Sequence, residues 1–300
     1  MKTVKIGFVI LHYLVYKQTL KAVDAIRKNI DTDEYIIVII DNYSNNGSIE
    51  EVEKSVSSSS DVVILKNNEN LGFAKGNNVG IFYLNKMYKP EFICVLNNDV
   101  YLKSKNLYKF LKNEFEISEF AVAGPKIYTK DGKSDVNPVR EKPFSYKKML
   151  RYKIEICINY FLIKFHLSFI YYLEKRTIQS LLKIRNKNKQ ILKKQNQDVK
   201  KYKVQLHGCF YIFSKNYFRF YDGFDSRTFL YLEEEILYCR TLNKNLVTVY
   251  LPNIEVFHEE DASTNALMNW NNRKKMLFNL GNHKKSIKIL LQVMKEGKSK

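Results

Sequence analysis

The sequence predicts an α/β protein with a mostly parallel central sheet flanked by helices. Continuous apolar runs at 4–11, 35–40 and 92–96 alternate with stretches of helical spacing, and polar residues follow the runs. Unbroken apolar runs are typical of parallel strands that are covered on both faces. The chain has 300 residues, 45% of them hydrophobic, which is enough to bury a substantial core.

The elements follow from the period of the apolar residues. In the first hundred residues we predict strands at 4–11, 35–40, 62–65 and 92–96 and helices at 17–30, 48–56 and 76–87. In the remainder we predict strands at 120–128, 204–213, 246–250 and 254–258, a helix at 232–243 and one or two closing helices at 266–295. Strands that alternate with helices indicate a doubly wound sheet, which binds ligands beyond the carboxyl ends of its strands.

The chain is basic, with a formal net charge of +19, and most of the surplus lies in one segment. Residues 140–203 contain 18 Lys+Arg and four Asp+Glu, mixed with aromatic and aliphatic residues. This composition favours helices that lie in a membrane interface without spanning it. The alternative is a helical hairpin that packs on its own domain or on a second subunit. Charge alone would also suit nucleic acid, but no recognised nucleic-acid module is present, so we expect no such partner.

The four cysteines are far apart, without a CxxC pair, which fits a reducing compartment. The short apolar run at 6–11 lacks a small-residue cleavage site and is interpreted as a buried strand. We therefore expect a cytoplasmic protein that is peripheral at the cytoplasmic face of the membrane.

Polar residues follow the second and fourth predicted strands. Asp41, Asn42 and Ser44 follow the former, and Asn97-Asn98-Asp99 follows the latter. Carboxylate oxygens suit Mg²⁺ or Mn²⁺, which in turn can hold a diphosphate. Taken singly, each segment is better explained by turn formation and helix capping than by ligand binding.

Three further segments contain unusual combinations of residues. The segment Asn70–Asn78 has two glycines and several amides at a helix start, which allows close approach of a nucleotide, but it is not a P-loop. The triplet Glu233-Glu234-Glu235 suits the helix macrodipole or provides a general base. His258 follows a strand, where a lone histidine is either structural or part of a metal site.

In combination and in this order, the segments resemble the family 2 glycosyltransferases of bacterial surface polysaccharides, especially the rhamnosyltransferase-like branch. The resemblance covers about residues 4–139 and 204–265. The matching residues are Asp41, Asn42, Ser44, Asn70, Gly72, Phe73, Ala74, Gly76, Asn77, Asn78, Leu96, Asn97, Asn98, Asp99, Gly223, Phe224, Asp225, Phe229, Leu230, Tyr231, Glu233, Glu234, His258 and Ser263.

The resemblance implies a GT-A fold and an inverting, metal-dependent transfer from a nucleotide-sugar donor. It implies that Glu234 is the catalytic base, with Glu233 as the second candidate, and that Asp99 and His258 hold Mn²⁺ or Mg²⁺. Asn97 stands where many members have the first Asp of the D-x-D motif. The implied donor-binding residues are Asp41, Asn42, Ser44, Gly72, Phe73, Gly76, Asn78, Asn97 and Asn98.

The implied division of the chain is a catalytic domain over 1–265 and a C-terminal helical segment over 266–300. The catalytic domain has a nucleotide-sugar half at 1–103 and an acceptor half at 104–265 that contains the basic insertion. The implied acceptor is a saccharide in surface polysaccharide or capsule synthesis, free or linked to a lipid, and homo-oligomerisation is left open.

Two other functions stay open from the residues. A catalytically degenerate protein of the same fold would bind nucleotide-sugars or act as a scaffold; Asn97 and the glutamate triplet are its only indications. A nucleotidyltransferase would need a basic, glycine-rich loop near the first strand, and 7–16 lacks one.

Overall fold

The computed structural model describes residues 3–134, 136–167, 169, 198–259 and 272–297. Within these residues, one mixed sheet in the order β3-β2-β1-β4-β8-β6-β9-β5 forms the centre of the molecule, and β7 pairs with β9. The strands are β1 Ile6–His12, β2 Tyr35–Asp41, β3 Val62–Lys66, β4 Phe92–Asn97, β5 Val100–Leu102, β6 Val122–Thr129, β7 Lys201–Tyr202, β8 Phe210–Ser214 and β9 Thr248–His258.

Helices cover both faces of the sheet, as predicted. They are α1 Tyr16–Asn29, α2 Ser48–Val56, α3 Gly72–Met87, α4 Leu107–Ser118, α5 Tyr146–Lys164, α6 Lys215–Phe218, α7 Glu233–Asn243 and α8 Asn272–Glu296. Alternate residues of one strand enter two different cores: Phe8 packs with α1 and α2, whereas its neighbour Val9 packs with α3. Burial on both faces explains the unbroken apolar runs of β1, β2 and β4.

The sheet is largely parallel. Strands β1, β2, β3 and β4 run parallel, and β8 enters antiparallel between β4 and β6. The register pairs His12 with Asp41 and Leu11 with Asn97, so the polar residues after β2 and β4 reach the same edge.

Several element bounds differ from the predictions. The run 246–250 and the run 254–258 belong to one strand, β9, whose register with β6 shifts at Pro125/Lys126. Pro252 lacks the N–H that a continuous ladder needs, so the pairing is interrupted and then resumes. The strand predicted at 204–213 begins only at Phe210, and the helix predicted from Gly76 begins at Gly72, where the Asn70 side chain accepts the Gly72 N–H at 2.9 Å.

The C-terminal helix α8 packs against α5 and α7. Met149 and Ile156 of α5, Ile236 and Cys239 of α7, and Leu290 of α8 belong to one apolar cluster. Among the described residues, no helix is long and apolar enough to cross a membrane. Ser263, the start of the predicted closing helices at 266–271 and most of the insertion beyond 169 lie outside the described residues.

Candidate active site

Asp41 ends β2 as a buried carboxylate. Both of its oxygens accept the backbone N–H of Ser44, at 3.1 and 3.3 Å, and burial raises the pKa of the Asp41 carboxyl. The Ser44 hydroxyl in turn accepts the Leu14 N–H at 2.9 Å, which fixes the loop after β2 against the loop after β1. Asp41 and Ser44, two of the predicted donor-binding residues, are therefore held in fixed positions at the edge of the sheet.

Asn42 connects this edge to the segment before α3. Its amide nitrogen donates to the Asn70 side chain at 2.9 Å, and its amide oxygen accepts the Leu71 N–H at 3.0 Å. Both ends of the amide therefore have protein partners, so the contacts of Asn42 position a loop.

The start of α3 is held against the segment that precedes α7. Gly72 has φ +73°, and a Cβ there would lie 2.2 Å from the carbonyl oxygen of Phe229. The N–H of the next residue, Phe73, donates to that same oxygen at 2.8 Å. Further along, Asn78 is paired at both ends of its amide with the backbone of Phe224, at 2.8 and 2.9 Å. A Cβ at Gly76 would come within 2.7 Å of Leu11. Each of these predicted donor-binding residues thus makes a close contact inside the protein.

The residues after β4 point in different directions. Asn97 is half-buried, and its backbone N–H donates to the carbonyl of Cys209 at 3.0 Å, joining the end of β4 to the residue before β8. Asn98 is buried and its amide donates to the hydroxyl of Thr19 on α1 at 3.2 Å. Of the two asparagines, Asn97 is therefore the more accessible to a ligand.

Asp99 and His258 meet, as predicted for a metal pair. The antiparallel pairing of β5 with β9 sets Val100 opposite His258, and the His258 Nε2 lies 3.4 Å from the Asp99 Oδ1. The His258 Nδ1 is buried and has no hydrogen-bond partner in the described part of the chain. The Asp99 carboxylate fits Mn²⁺ or Mg²⁺, although within the described residues no cluster of three His, Cys, Asp or Glu side chains surrounds such an ion.

Glu234 is tied to the same region through Gly208. The Gly208 N–H donates to the Glu234 Oε1 at 2.5 Å, and a Cβ at position 208 would lie 2.9 Å from that oxygen. Burial is the largest cause of a pKa of about 7 for Glu234, and burial likewise raises the pKa of Glu233 to about 7. A carboxyl group with a pKa near 7 can accept a proton at neutral pH, which is the property of a general base.

The segment before β8 holds two site residues that the sequence analysis did not identify, His207 and Gly208. The rings of His207 and His258 are 6.0 Å apart, and burial lowers the pKa of His207 to about 4, so its imidazole is neutral. The sequence offered only a His-Gly pair ahead of an apolar run, which is a weak signal without the position of Glu234.

A cleft of about 620 Å³ opens beside the glutamates, between α5, α7 and α8. The rings of Tyr231 and His283 stack in its wall with centroids 4.2 Å apart, and Tyr152 meets His283 edge-on. The Glu233 Oε1 and the His283 Nδ1 are both buried without a hydrogen-bond partner among the described atoms. Aromatic faces with unpaired polar atoms are suited to a ligand that has both apolar faces and hydroxyl groups.

Comparisons with known proteins identify the family and the fold of this chain. The profile of the family described as "Glycosyl transferase family 2" matches residues 8–171, more than half of the chain. No protein with curated annotation matches the sequence.

Among solved structures, S. aureus TarS 1-349 is 12% identical, with a TM-score of 0.51 over 97% of this chain and 70% of that one. GalNAc-T7 with UDP, GalNAc and Mn²⁺ is 11% identical, with a TM-score of 0.56 over 87% of this chain and 44% of that one. A structure of TarS spans 85% of this chain and 36% of its own, at 13% identity and a TM-score of 0.51. This chain therefore spans less than half the length of the two longer proteins, and the likeness confirms the predicted GT-A-like α/β fold.

Proposed function

The chain belongs to glycosyl transferase family 2, and from this premise we propose that it transfers a sugar from a nucleotide-sugar donor to a saccharide acceptor. The observation that supports this most is the position of Glu234. Its carboxylate is held by Gly208 next to the end of β4 and also lines the 620 Å³ cleft. One group can therefore contact an acceptor in the cleft and a donor at the edge of the sheet.

The donor side lies at the carboxyl ends of β2 and β4. The family resemblance assigns Asp41 to donor binding, and the hydrogen bonds from Ser44 hold its carboxylate in one orientation. Neighbouring folds support a uridine nucleotide: one TarS structure contains UDP, and the GalNAc-T7 structure contains UDP, GalNAc and Mn²⁺. We infer a UDP-sugar as the first donor class to examine.

Asp99 and His258 would hold the divalent cation, and the approach of the His258 Nε2 to within 3.4 Å of the Asp99 Oδ1 supports this assignment. The cation would neutralise negative charge on the diphosphate when bound. Asn97 is the last residue of β4, and its side-chain amide can donate a hydrogen bond to the same diphosphate.

The chemistry is one displacement. The acceptor hydroxyl oxygen forms a bond to the anomeric carbon while the bond from that carbon to the diphosphate oxygen breaks. Glu234 takes the hydroxyl proton, and the electron pair leaves with the nucleoside diphosphate. Attack from the face opposite the phosphate inverts the anomeric configuration, and no covalent enzyme intermediate forms.

The acceptor occupies the cleft in this proposal. The stacked rings of Tyr231 and His283 offer a flat face for a sugar ring, and the His283 Nδ1 and the Glu233 Oε1 offer partners for hydroxyl groups. Glu233 would therefore orient the acceptor, while Glu234 removes its proton.

Transfer assays with conservative variants test the proposal. Glu234→Gln keeps an oxygen that can accept the Gly208 N–H but cannot take a proton, so kcat should fall by about 10²–10⁴-fold with nucleotide binding retained. Glu233→Gln should mainly raise the KM for the acceptor. The control is Glu116→Gln, because Glu116 is exposed on α4, outside the cleft. Nucleotide binding with no turnover by the wild type, against any acceptor panel, would favour a degenerate binding protein instead.

A further inference from the structure

Helix α5 has an exposed apolar stripe. Five large apolar side chains, spaced four, four, three and four residues apart, lie on one face with exposed fractions between 41 and 55%. They are Leu150, Ile154, Ile158 and Phe161 of α5 and Phe165, the residue directly after it. Positions three and four apart share one side of a helix, so the stripe is continuous. We call these five residues the α5 stripe.

The α5 stripe is not the face by which α5 packs into the protein, because α5 buries a different face. Met149 and Ile156 pack with α7 and α8, and Leu162 and Ile163 pack against Met276 and Leu277 of α8. These contacts fix the rotation of α5, so the stripe cannot turn inward without loss of the packing between α5 and α8. A soluble monomer rarely leaves so large a contiguous apolar surface uncovered unless the surface binds something.

The charges of α5 identify the occupant. The helix contains Lys147, Lys148, Arg151, Lys153 and Lys164 against one acid, Glu155. At 100° per residue, Lys153 and Lys164 lie along one edge of the stripe and Arg151 along the other. An apolar face bordered by cations fits a bilayer with anionic headgroups, where each basic residue near the surface contributes about 1 kcal/mol.

We propose that α5 lies flat in the headgroup region of an anionic membrane, with the α5 stripe inserted among the acyl chains. This docking surface is separate from the transfer chemistry and does not depend on it. A span is not required, and no described helix is suited to one.

The consequence for the site does rest on the proposed function. Lys148 and Tyr152 on the same helix line the cleft that contains Glu233 and Glu234. A membrane bound to α5 would therefore lie next to the mouth of the cleft, which suits an acceptor saccharide that is attached to a lipid.

Vesicle co-sedimentation tests the proposal. The full chain should bind vesicles of phosphatidylglycerol and phosphatidylcholine at least tenfold more tightly than vesicles of phosphatidylcholine alone, and added salt should weaken the binding. The double variant Ile154→Asp/Ile158→Asp should lose at least tenfold in affinity for the anionic vesicles. The matched control is Phe82→Asp/Ile117→Asp, because both residues are exposed apolar side chains on other helices, and its affinity should be unchanged.

Two outcomes would overturn the proposal. Anionic vesicles that still bind the Ile154→Asp/Ile158→Asp variant would mean that another segment makes the contact. A wild type that is dimeric by analytical ultracentrifugation, together with a monomeric stripe variant and no vesicle binding by either, would assign the stripe to a second copy of the chain. Nucleotide binding in solution, measured in parallel, reports on the proposed transferase independently and should be the same in both variants.

Discussion

The backbone N–H of Gly208 donates to the Oε1 of Glu234 at 2.5 Å, and a Cβ at position 208 would lie 2.9 Å from that oxygen. This contact joins two parts of the chain that the sequence does not connect, the segment before β8 and the first turn of α7. The carbonyl of Cys209, the residue after Gly208, accepts the N–H of Asn97. The same segment therefore contacts both the Glu234 carboxylate and the end of β4.

The first prediction concerns Gly208→Ala. The added methyl group would lie 2.9 Å from the Glu234 Oε1, and because that atom is the end of a flexible side chain, we expect the carboxylate to move at little cost in stability. The displaced base should lower kcat by about tenfold or more, since small displacements of a catalytic group have large effects on rate. Steady-state kinetics and thermal unfolding check this.

Gly281→Ala is the matched control, because its Cβ would meet only Tyr160, at 3.7 Å, which is ordinary van der Waals contact. Equal rates for wild type and Gly208→Ala would show that Glu234 is not held through this contact during turnover.

The second prediction concerns the pH dependence of stability. Burial raises the pKa of Glu234 to about 7, so the folded state favours the protonated form. The stability from this group is therefore complete below the ordinary carboxyl pKa and is lost as pH rises through about 7. Glu234→Gln removes the ionisation, so its advantage over the wild type in free energy of unfolding should be about 2–3 kcal/mol larger at pH 8 than at pH 5.

Urea denaturation at the two pH values measures this difference. Glu116→Gln, which changes an exposed carboxylate, should show the same pH dependence as the wild type. A gain for Glu234→Gln that is the same at pH 5 and pH 8 would contradict the burial argument.

The third prediction concerns the metal pair. If Asp99 and His258 hold the cation, then the thermal stabilisation of the wild type by a nucleotide-sugar should increase when Mn²⁺ is added. Asp99→Ala should lose that increase, because binding of the donor would no longer be coupled to the cation. A screen of UDP-, dTDP- and GDP-sugars by thermal shift also identifies the donor class. Asp24→Ala, on the exposed side of α1, is the control. A Mn²⁺-dependent shift that survives in Asp99→Ala would move the metal site elsewhere.

Strands β1, β2 and β4 could be predicted from the sequence because their burial on both faces leaves an unbroken apolar run. Asp41 and Asn97 lie at the same edge of the sheet because β2 and β4 both run parallel to β1. This arrangement is general for open parallel sheets. The family resemblance predicts that Asp99 and His258 act together, and the structure has their side chains in contact. That the two residues bind a metal ion stays a prediction.

The elements and contacts that could not be predicted from the sequence depend on residues that are distant along the chain. Helix α4 and strand β5 were not predicted. The first turn of α4 is capped by Asp31, whose carboxylate accepts the N–H groups of Tyr108 and Lys109 at 2.7 and 3.0 Å. A cap supplied from more than seventy residues away leaves no local signal. The cleft between α5, α7 and α8 was missed for the same reason, because three separate helices form it.

The last prediction separates two effects of a single methyl group. Gly72 and Gly132 have nearly equal φ angles, +73° and +78°, so alanine at either position should cost about 1–2 kcal/mol for a left-handed backbone. Only at Gly72 would the Cβ also meet a backbone atom, the Phe229 carbonyl oxygen at 2.2 Å, whereas at Gly132 nothing lies within 4 Å. That oxygen accepts the Phe73 N–H and cannot retreat as a flexible side chain would, so Gly72→Ala should cost about 1–3 kcal/mol more than Gly132→Ala. Chemical denaturation of both variants measures the difference. Equal costs would mean that the contact between the start of α3 and the segment before α7 is easily displaced.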